Sequence, residues 1–486
     1  MAGLGMARMR LGLLEEALDA LRAGVRLHPD DPYLLSSLAH AELTAGRTGE
    51  SIALLRRAMA VQPAPELHSL LLYALNHEAL DPAGIARDHT RWGQLHACRP
   101  LKPVRFSNAT DPRRRLRIGY VSGDFRRSAP ACFFEPLLDG HDRARFEITC
   151  YDNGEADDAT FLRLKASACR WRRIAGLTDR KARATIRRDG IDILVDLSGH
   201  TGGNRLGIFA GRAAPVQVTY LGYPNSTGLE QMDYRLTDAI ADPPGMTARF
   251  HTERLLRLPR CFVAFRPHDS SVPVARAPSL DHPGAFVFGS FSRPCKWSGP
   301  TVAAWAEILR RAPASRLLLH HHVLRRCSEG TSRFVEDGIR RRFAALGVDP
   351  GRVDFTAGLE AREHFELYGR VDLALDPFPY NGTTSLCEGL WMGVPAVALE
   401  GDAHVSRVAS SLLRAAGLGS FVCRTTEAYV RKAVESSSSP RHSSRLRSGM
   451  RSRLAASPLM DGAGLAAAIE REYRRVWRAY CRSVQP

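Results

Sequence analysis

Residues 371–395, VDLALDPFPYNGTTSLCEGLWMGVP, restrict the fold of this chain more than any other stretch. An apolar run of strand length (371–376) enters a Pro/Gly loop, and a helical pattern starts at Thr383, Thr384 and Ser385. A buried strand running straight into a helix is the repeating unit of a parallel α/β sheet. The first turn of a helix has N–H groups without helical partners and the positive end of the macrodipole, so it suits a phosphate. Three hydroxyls in that turn add donors to the same anion. Glu388 follows Ser385 by three residues and shares its helix face. A carboxylate there can accept from ribose hydroxyls. The segment fits a nucleotide site, and it also fits a core helix whose hydroxyls only cap its end.

The same alternation continues on both sides. Apolar strand candidates are 116–122, 146–152, 191–199 and 215–222, then 285–291, 315–320, 352–358, 371–377 and 395–401. Helical patterns such as 301–312, 331–346 and 403–416 separate them. This order predicts two parallel sheets, each covered on both faces. The stretch 436–453, SSSSPRHSSRLRSGMRSR, reads as a polar loop.

Ahead of the first strand the pattern is helical and periodic. Glu16, Leu18, Leu21, Arg22 and Pro29 recur as Glu50, Ile52, Leu55, Arg56 and Pro63, and Gly12 recurs as Gly46, at a spacing of 34. That period with a closing proline is the tetratricopeptide signature. One complete repeat spans about 31–63, a partial one precedes it, and a degenerate helix pair (65–96) follows. The chain begins part-way through a repeat. About three repeats are needed for a self-sufficient stack, so the array is expected to lean on the following domain. It would serve as a groove for protein partners or as a structural cap.

Composition bounds the rest. The 486 residues allow two or three domains. No apolar run reaches the ~20 residues of a membrane span, and Glu15, Glu16 and Asp19 interrupt the first apolar stretch as no signal peptide would. Ten cysteines without CxxC pairs point to a reducing, cytoplasmic setting rather than a disulfide framework or a zinc site. The net charge of +17 is mostly arginine spread along the chain, denser at 113–117, 441–453 and 471–482. No interleaved aromatic motif accompanies it, so a nucleic-acid partner is not expected. The run HHH (320–322) reads as a strand end rather than a metal site.

NGTTSLCEGLWMG (381–393) is similar to the nucleotide-sugar motif of the O-GlcNAc transferase/SPINDLY glycosyltransferases, bacterial members included. LRIGYVSGDFRR (116–127), DLSGHTGGNRL (196–206), LGYPNSTGLEQMDYRLTD (221–238), TERLLRLPRCF (252–262), FGSFSRPCK (288–296) and ASPLMD (456–461) resemble further blocks of that family in its order. The resemblance runs from about residue 10 to the C-terminus. It implies an α/β chain with tetratricopeptide-like helical repeats (1–100) followed by a GT-B pair of Rossmann-like lobes. These would be a first lobe on the sugar and acceptor side (101–275) and a nucleotide-sugar lobe (276–486), with catalysis in the cleft between them. The final helix (462–482) would cross back onto the first lobe.

The resemblance also implies an activity: inverting, metal-independent transfer of GlcNAc from UDP-GlcNAc to Ser or Thr of proteins, with no cofactor. GDP-fucose and UDP-glucose are the alternative donors. Lys296 matches the lysine that neutralises the leaving diphosphate, an electrostatic task, and Arg293 stands beside it. His364 matches a histidine near uridine and pyrophosphate. Asn381, Thr383, Thr384, Ser385 and Glu388 belong to the nucleotide-sugar motif, and Thr201, Gly222 and Pro224 match positions around the transferred sugar. His200 could serve as a local acid/base or as a structural loop histidine. One position departs from the family: Ser128 stands where relatives carry a histidine considered as general base. Serine does not titrate near pH 7 and cannot replace an imidazole. The substitution leaves open a weak enzyme, or an inactive scaffold that binds partners through the repeats.

Overall fold

The computed structural model describes residues 1–97, 104–155, 157–281, 286–321 and 329–484. They form two compact units. One contains Met1–Leu80, Asp269–Gly401 and Val405–Ala455, and the other Asp81–His268, Asp402–His404 and Ala456–Pro486.

In the first unit the helical repeats are Ala2–Arg10, Leu14–Leu27, Pro32–Thr44, Thr48–Val61 and Pro65–Leu75. Gly12 and Gly46, the pair spaced by 34, have φ of +82° and +80° at equivalent turns. Residues with a Cβ pay to enter that left-handed region, which accounts for glycine at both places. Leu14, Leu18, Leu21, Leu34 and Leu38 form one core with Val335 of the helix Glu329–Ala345, and the Arg47 guanidinium lies over the Phe334 ring at 5.1 Å. The short array therefore does lean on another domain, but on the one that carries the second sheet. The degenerate pair is divided, because Pro82–His96 belongs to the other unit.

That other unit holds a seven-stranded sheet. Its strands are β1 (Leu116–Ser122), β2 (Phe146–Asp152), β3 (Arg170–Arg173), β4 (Ile193–Asp196), β5 (Val216–Thr219), β6 (Tyr234–Asp238) and β7 (Arg254–Leu258). They lie in the order β3-β2-β1-β4-β5-β6-β7, and every pairing is parallel. The first unit holds a six-stranded sheet: β8 (Val287–Phe291), β9 (Arg316–His321), β10 (Val353–Ala357), β11 (Leu373–Leu375), β12 (Ala396–Leu399) and β13 (Val422–Cys423). Its order is β10-β9-β8-β11-β12-β13, again all parallel.

Each sheet winds outward from its first strand, then restarts on the other side. The switch falls between β1 and β4 in one sheet, where Ile118 pairs with Ile193, and between β8 and β11 in the other, where Leu373 pairs with Phe288. In doubly wound sheets the loops leaving such a point form the natural ligand crevice.

The expected strands are present, and β3, β6, β7 and β13 add to them. The first of these, RWRR, is a polar edge strand without the apolar run that marks a central one. His320 and His321 close β9, and His322 lies outside the described residues.

One expectation is overturned. The stretch read as a polar loop is largely the helix Pro440–Ala455. Two of its arginines turn inward: Arg447 is 3% exposed and donates to the carbonyls of Ala275, Val371 and Tyr368. Arg451 donates to those of Trp391 and Val272. Arg–carbonyl bonding makes an apolar-poor sequence part of the interior.

One arginine from each of the other basic clusters is drawn in similarly, while Arg113, Arg115, Arg471, Arg475 and Arg478 stay exposed. Arg474 on the helix Gly462–Val484 donates to the Pro112 and Arg114 carbonyls, while Arg114 pairs with buried Asp192. That last helix packs on Ala131–Gly140 beside the seven-stranded sheet. A Cβ on Gly140 would lie 2.8 Å from the Gly462 carbonyl, so the approach needs glycine. No helix among the described residues is long and apolar enough to cross a membrane. The eight described cysteines are free.

Candidate active site

At the switch point of the six-stranded sheet the loop after β8 carries Ser292, Arg293 and Lys296, and the loop after β11 carries Asp376, Tyr380, Asn381 and Thr383. The Lys296 ammonium donates to the Asn381 carbonyl at 2.8 Å and lies 3.9 Å from the centre of the Tyr380 ring. Burial pulls the Lys296 pKa below the ordinary lysine value, with Arg293 pushing the same way and Asp376 opposing. Burial pushes Asp376 up, and its Oδ1 accepts the Gly382 N–H at 2.8 Å. A cation made easier to discharge, beside a carboxylate made easier to protonate, is a tuned pair of the kind found at reacting centres.

The helix Thr384–Trp391 starts in the same place, with Thr383 at its N-cap. Thr383, Thr384 and Ser385 are half-buried, so their hydroxyls remain reachable. The side chain of Asn381 is instead 1% exposed and bonds the Pro377 carbonyl. Its contribution to the loop is its backbone carbonyl. A cavity beside this point is lined by Ser290, Phe291, Tyr368, Asp376 and Ser385.

Glu388 and His364 come together. His364, on the helix Ala361–Leu367, donates from Nε2 to Glu388 Oε2 at 3.1 Å. The Tyr368 hydroxyl donates to the Ser385 carbonyl at 3.0 Å and lies 3.5 Å from the same Oε2.

In the other unit the loops after β1, β4 and β5 hold the remaining residues. Asp196, at the end of β4, accepts from the Ser198 and Gly199 N–H groups and from the Thr219 hydroxyl. Burial raises its pKa to about 6. Thr201 Oγ1 donates to the Ser198 carbonyl at 2.8 Å. Gly222 sits so close to this loop that a Cβ would lie 1.9 Å from the Leu197 carbonyl. Leu221, just before it, takes φ +74°, an uncommon conformation for a residue with a Cβ. Pro224 is half-buried in the same turn, and buried Arg235 fixes its flanks by donating to the Tyr223 and Asn225 carbonyls.

His200 is 2% exposed and donates from Nε2 to the Thr227 carbonyl at 2.9 Å. Its ring is packed against Trp92, Tyr223 and His89. These are the surroundings of a structural histidine, and they lend the acid/base assignment no support. The Ser128 hydroxyl donates to the Asp124 carbonyl at 2.9 Å. An imidazole does reach this loop, since His268 Nε2 donates to the Ser128 carbonyl at 3.2 Å.

The profile of glycosyl transferase family 41 matches residues 55–270 and 269–469. The chain belongs to glycosyl transferase family 41. Among similar proteins is the probable UDP-N-acetylglucosamine–peptide N-acetylglucosaminyltransferase SPINDLY of Petunia hybrida. It is 39% identical over 402 residues, covering 81% of this chain and 42% of the relative. The protein so named from Arabidopsis thaliana is 37% identical over 426 residues, covering 85% of this chain and 45% of the relative. This family 41 chain thus spans less than half the length of these curated relatives. A lysine-to-methionine mutant of the Thermobaculum terrenum O-GlcNAc transferase superposes with a TM-score of 0.91 at 36% identity, covering 99% of this chain and 91% of that one. That agreement covers the helical repeats and both Rossmann-like domains.

Asp376, Tyr380 and Asp196 were missed by sequence reasoning on this family 41 chain. Two of them are carboxylates at the carboxyl ends of strands, the position where ligand loops begin, and that was the available signal. Nothing in the sequence marks Tyr380 as the ring under Lys296.

Proposed function

We propose that this chain is a protein O-glycosyltransferase that transfers GlcNAc from UDP-GlcNAc to Ser or Thr hydroxyls, with inversion and without a metal or cofactor. The observation that carries the reading is the half-buried Lys296 beside the start of the helix Thr384–Trp391. The acceptor oxygen attacks the anomeric carbon as the bond from that carbon to the β-phosphate oxygen breaks. The electron pair leaves with UDP. Lys296, Arg293 and the helix start, with the Thr383, Thr384 and Ser385 hydroxyls, stabilise the diphosphate, which is the purpose a metal serves in other sites. Glu388 and His364 act together on ribose and base. Thr201, Gly222 and Pro224 shape the sugar pocket. The hydroxyl proton passes to a donor phosphate oxygen, because Ser128 holds no imidazole and the exposed share of His200 is small. Acceptor proteins are held in part by the helical repeats, and the free thiols fit a cytoplasmic setting.

A second reading, an inactive scaffold, is favoured only by Ser128. Incubation of the full chain with host lysate and donors labelled in the sugar decides between them. Label on proteins from UDP-GlcNAc alone supports the assignment. Label from GDP-fucose or UDP-glucose instead corrects the donor, and label from none supports the scaffold.

A further inference from the structure

Two short stretches that the transfer reaction leaves unused meet in the seven-stranded unit. Ser226 and Thr227 lie in the loop after β5, and Thr252 and Glu253 stand immediately before β7. Glu253 is 4% exposed. Its Oε1 accepts the Thr227 N–H at 2.7 Å and also the Thr227 hydroxyl, and its Oε2 accepts the Ser226 hydroxyl at 2.8 Å. The Thr252 N–H donates back to Ser226 Oγ at 3.2 Å. Ser226 and Thr227 are fully buried. A buried carboxylate is costly unless it is bonded in this way. Buried ions often add no net stability over an apolar replacement, and their best-attested use is to fix one conformation.

The loop that Glu253 bonds is tied to its neighbours at the same place. Arg235 donates to the Tyr223 and Asn225 carbonyls just ahead of Ser226. The Thr227 carbonyl accepts from His200, the residue before Thr201 in the loop after β4. Thr227 is thus the junction of the two loops that carry Gly222, Pro224 and Thr201, and Glu253 is the group that holds Thr227. Behind the carboxylate, His251 Nδ1 lies 4.0 Å from Glu253 Oε2 and His251 Nε2 lies 3.3 Å from Asp242 Oδ1. Asp242 Oδ2 in turn accepts from His404 Nδ1 at 2.7 Å.

We propose that Glu253 is a positioning residue for the transferred sugar: by holding Ser226 and Thr227 it sets the loop after β5, and through the His200 bond the loop after β4, in the form that receives the sugar. The inference rests on the reading of Thr201, Gly222 and Pro224 as the sugar pocket. It gives the buried carboxylate ahead of β7 a part in handling the sugar, separate from the groups that meet the nucleotide.

The test compares the full-length wild type with Glu253→Leu and Glu253→Gln in three readouts: UDP binding by calorimetry, turnover of UDP-GlcNAc, and amide hydrogen exchange of the peptide 220–229. Glu253→Leu is expected to bind UDP as the wild type does, to lose about 10-fold or more in kcat/KM for UDP-GlcNAc, and to exchange faster in 220–229. Glu253→Gln keeps an oxygen for the Thr227 N–H and is expected to restore most of the turnover. Wild-type turnover by a folded Glu253→Leu overturns the proposal, and so does a loss of turnover matched by an equal loss of UDP binding. Should Glu253→Leu fail to fold, Ser226→Ala is read instead: reduced turnover at unchanged UDP binding supports the proposal, and unchanged turnover overturns it. A wild type that turns over no UDP-GlcNAc sinks the function, and the exchange then decides alone: faster exchange in Glu253→Leu supports the loop-setting role, and unchanged exchange overturns it. Normal wild-type turnover that Glu253→Leu retains leaves the function standing and removes the positioning role.

Discussion

The Lys296 ammonium and the Asn381 backbone carbonyl are joined across 2.8 Å, and that bond ties the loop after β8 to the loop after β11. Both loops leave the switch point of one sheet, so the cation is placed by backbone topology rather than by a chance surface contact.

Lys296→Ala is expected to lower kcat by about 10²–10³-fold, the typical cost of removing one electrostatic stabiliser of developing charge. Nucleotide binding should weaken less, because the helix start at Thr384 still meets the phosphates. Steady-state rates beside calorimetric UDP titration check the split.

The pH profile follows from the direction of the lysine shift. Lys296 is active as the cation, and burial lowers its pKa. The rate should therefore fall as pH rises, starting below the ordinary lysine range. Asp376 opposes that lowering. Asp376→Asn keeps an oxygen for the Gly382 N–H but removes the charge, so the alkaline limb should move to lower pH. An unshifted limb in this variant contradicts the pairing. A lysine with a lowered folded pKa also makes stability rise with pH through that pKa towards the unfolded value.

Gly222→Ala puts a methyl 1.9 Å from the Leu197 carbonyl. The loop after β5 must shift, at an expected stability cost of about 1–3 kcal/mol. Donor turnover should fall about 10-fold or more, as expected when reacting groups are displaced by even an ångström. Thermal melting and kcat/KM measured together check it.

Arg447 tests the inward-turned helix. Arg447→Leu leaves the Ala275, Val371 and Tyr368 carbonyls without their donor, at an expected loss of about 2–4 kcal/mol. A surface arginine would cost almost nothing, and chemical denaturation tells the two apart.

His200→Phe should lower the melting temperature and leave the shape of the pH–rate profile intact, because the ring packs among Trp92, Tyr223 and His89. A profile that loses a limb at unchanged stability would restore the acid/base assignment.

Much of this architecture was legible because it rests on patterns that burial enforces. The apolar runs at 116–122 and 146–152 coincide with β1 and β2, and the spacing of 34 coincides with two glycines of matching φ. Long-range polar packing left no such trace. Nothing local says that arginines at 447 and 451 bond backbone carbonyls, so their helix was read as a loop. The glycosyltransferase motifs located the loops. Which side chains face into them was set by contacts between distant segments, as with Asn381, whose side chain is buried while its carbonyl meets the lysine.

The measurement closest to the central claim is lysate-dependent release of UDP from UDP-GlcNAc by the wild type and by Lys296→Ala, both shown to bind UDP. The account predicts steady release by the wild type and at least about 100-fold less by the variant. Equal release by the two proteins, or none by a wild type that binds UDP, would contradict it.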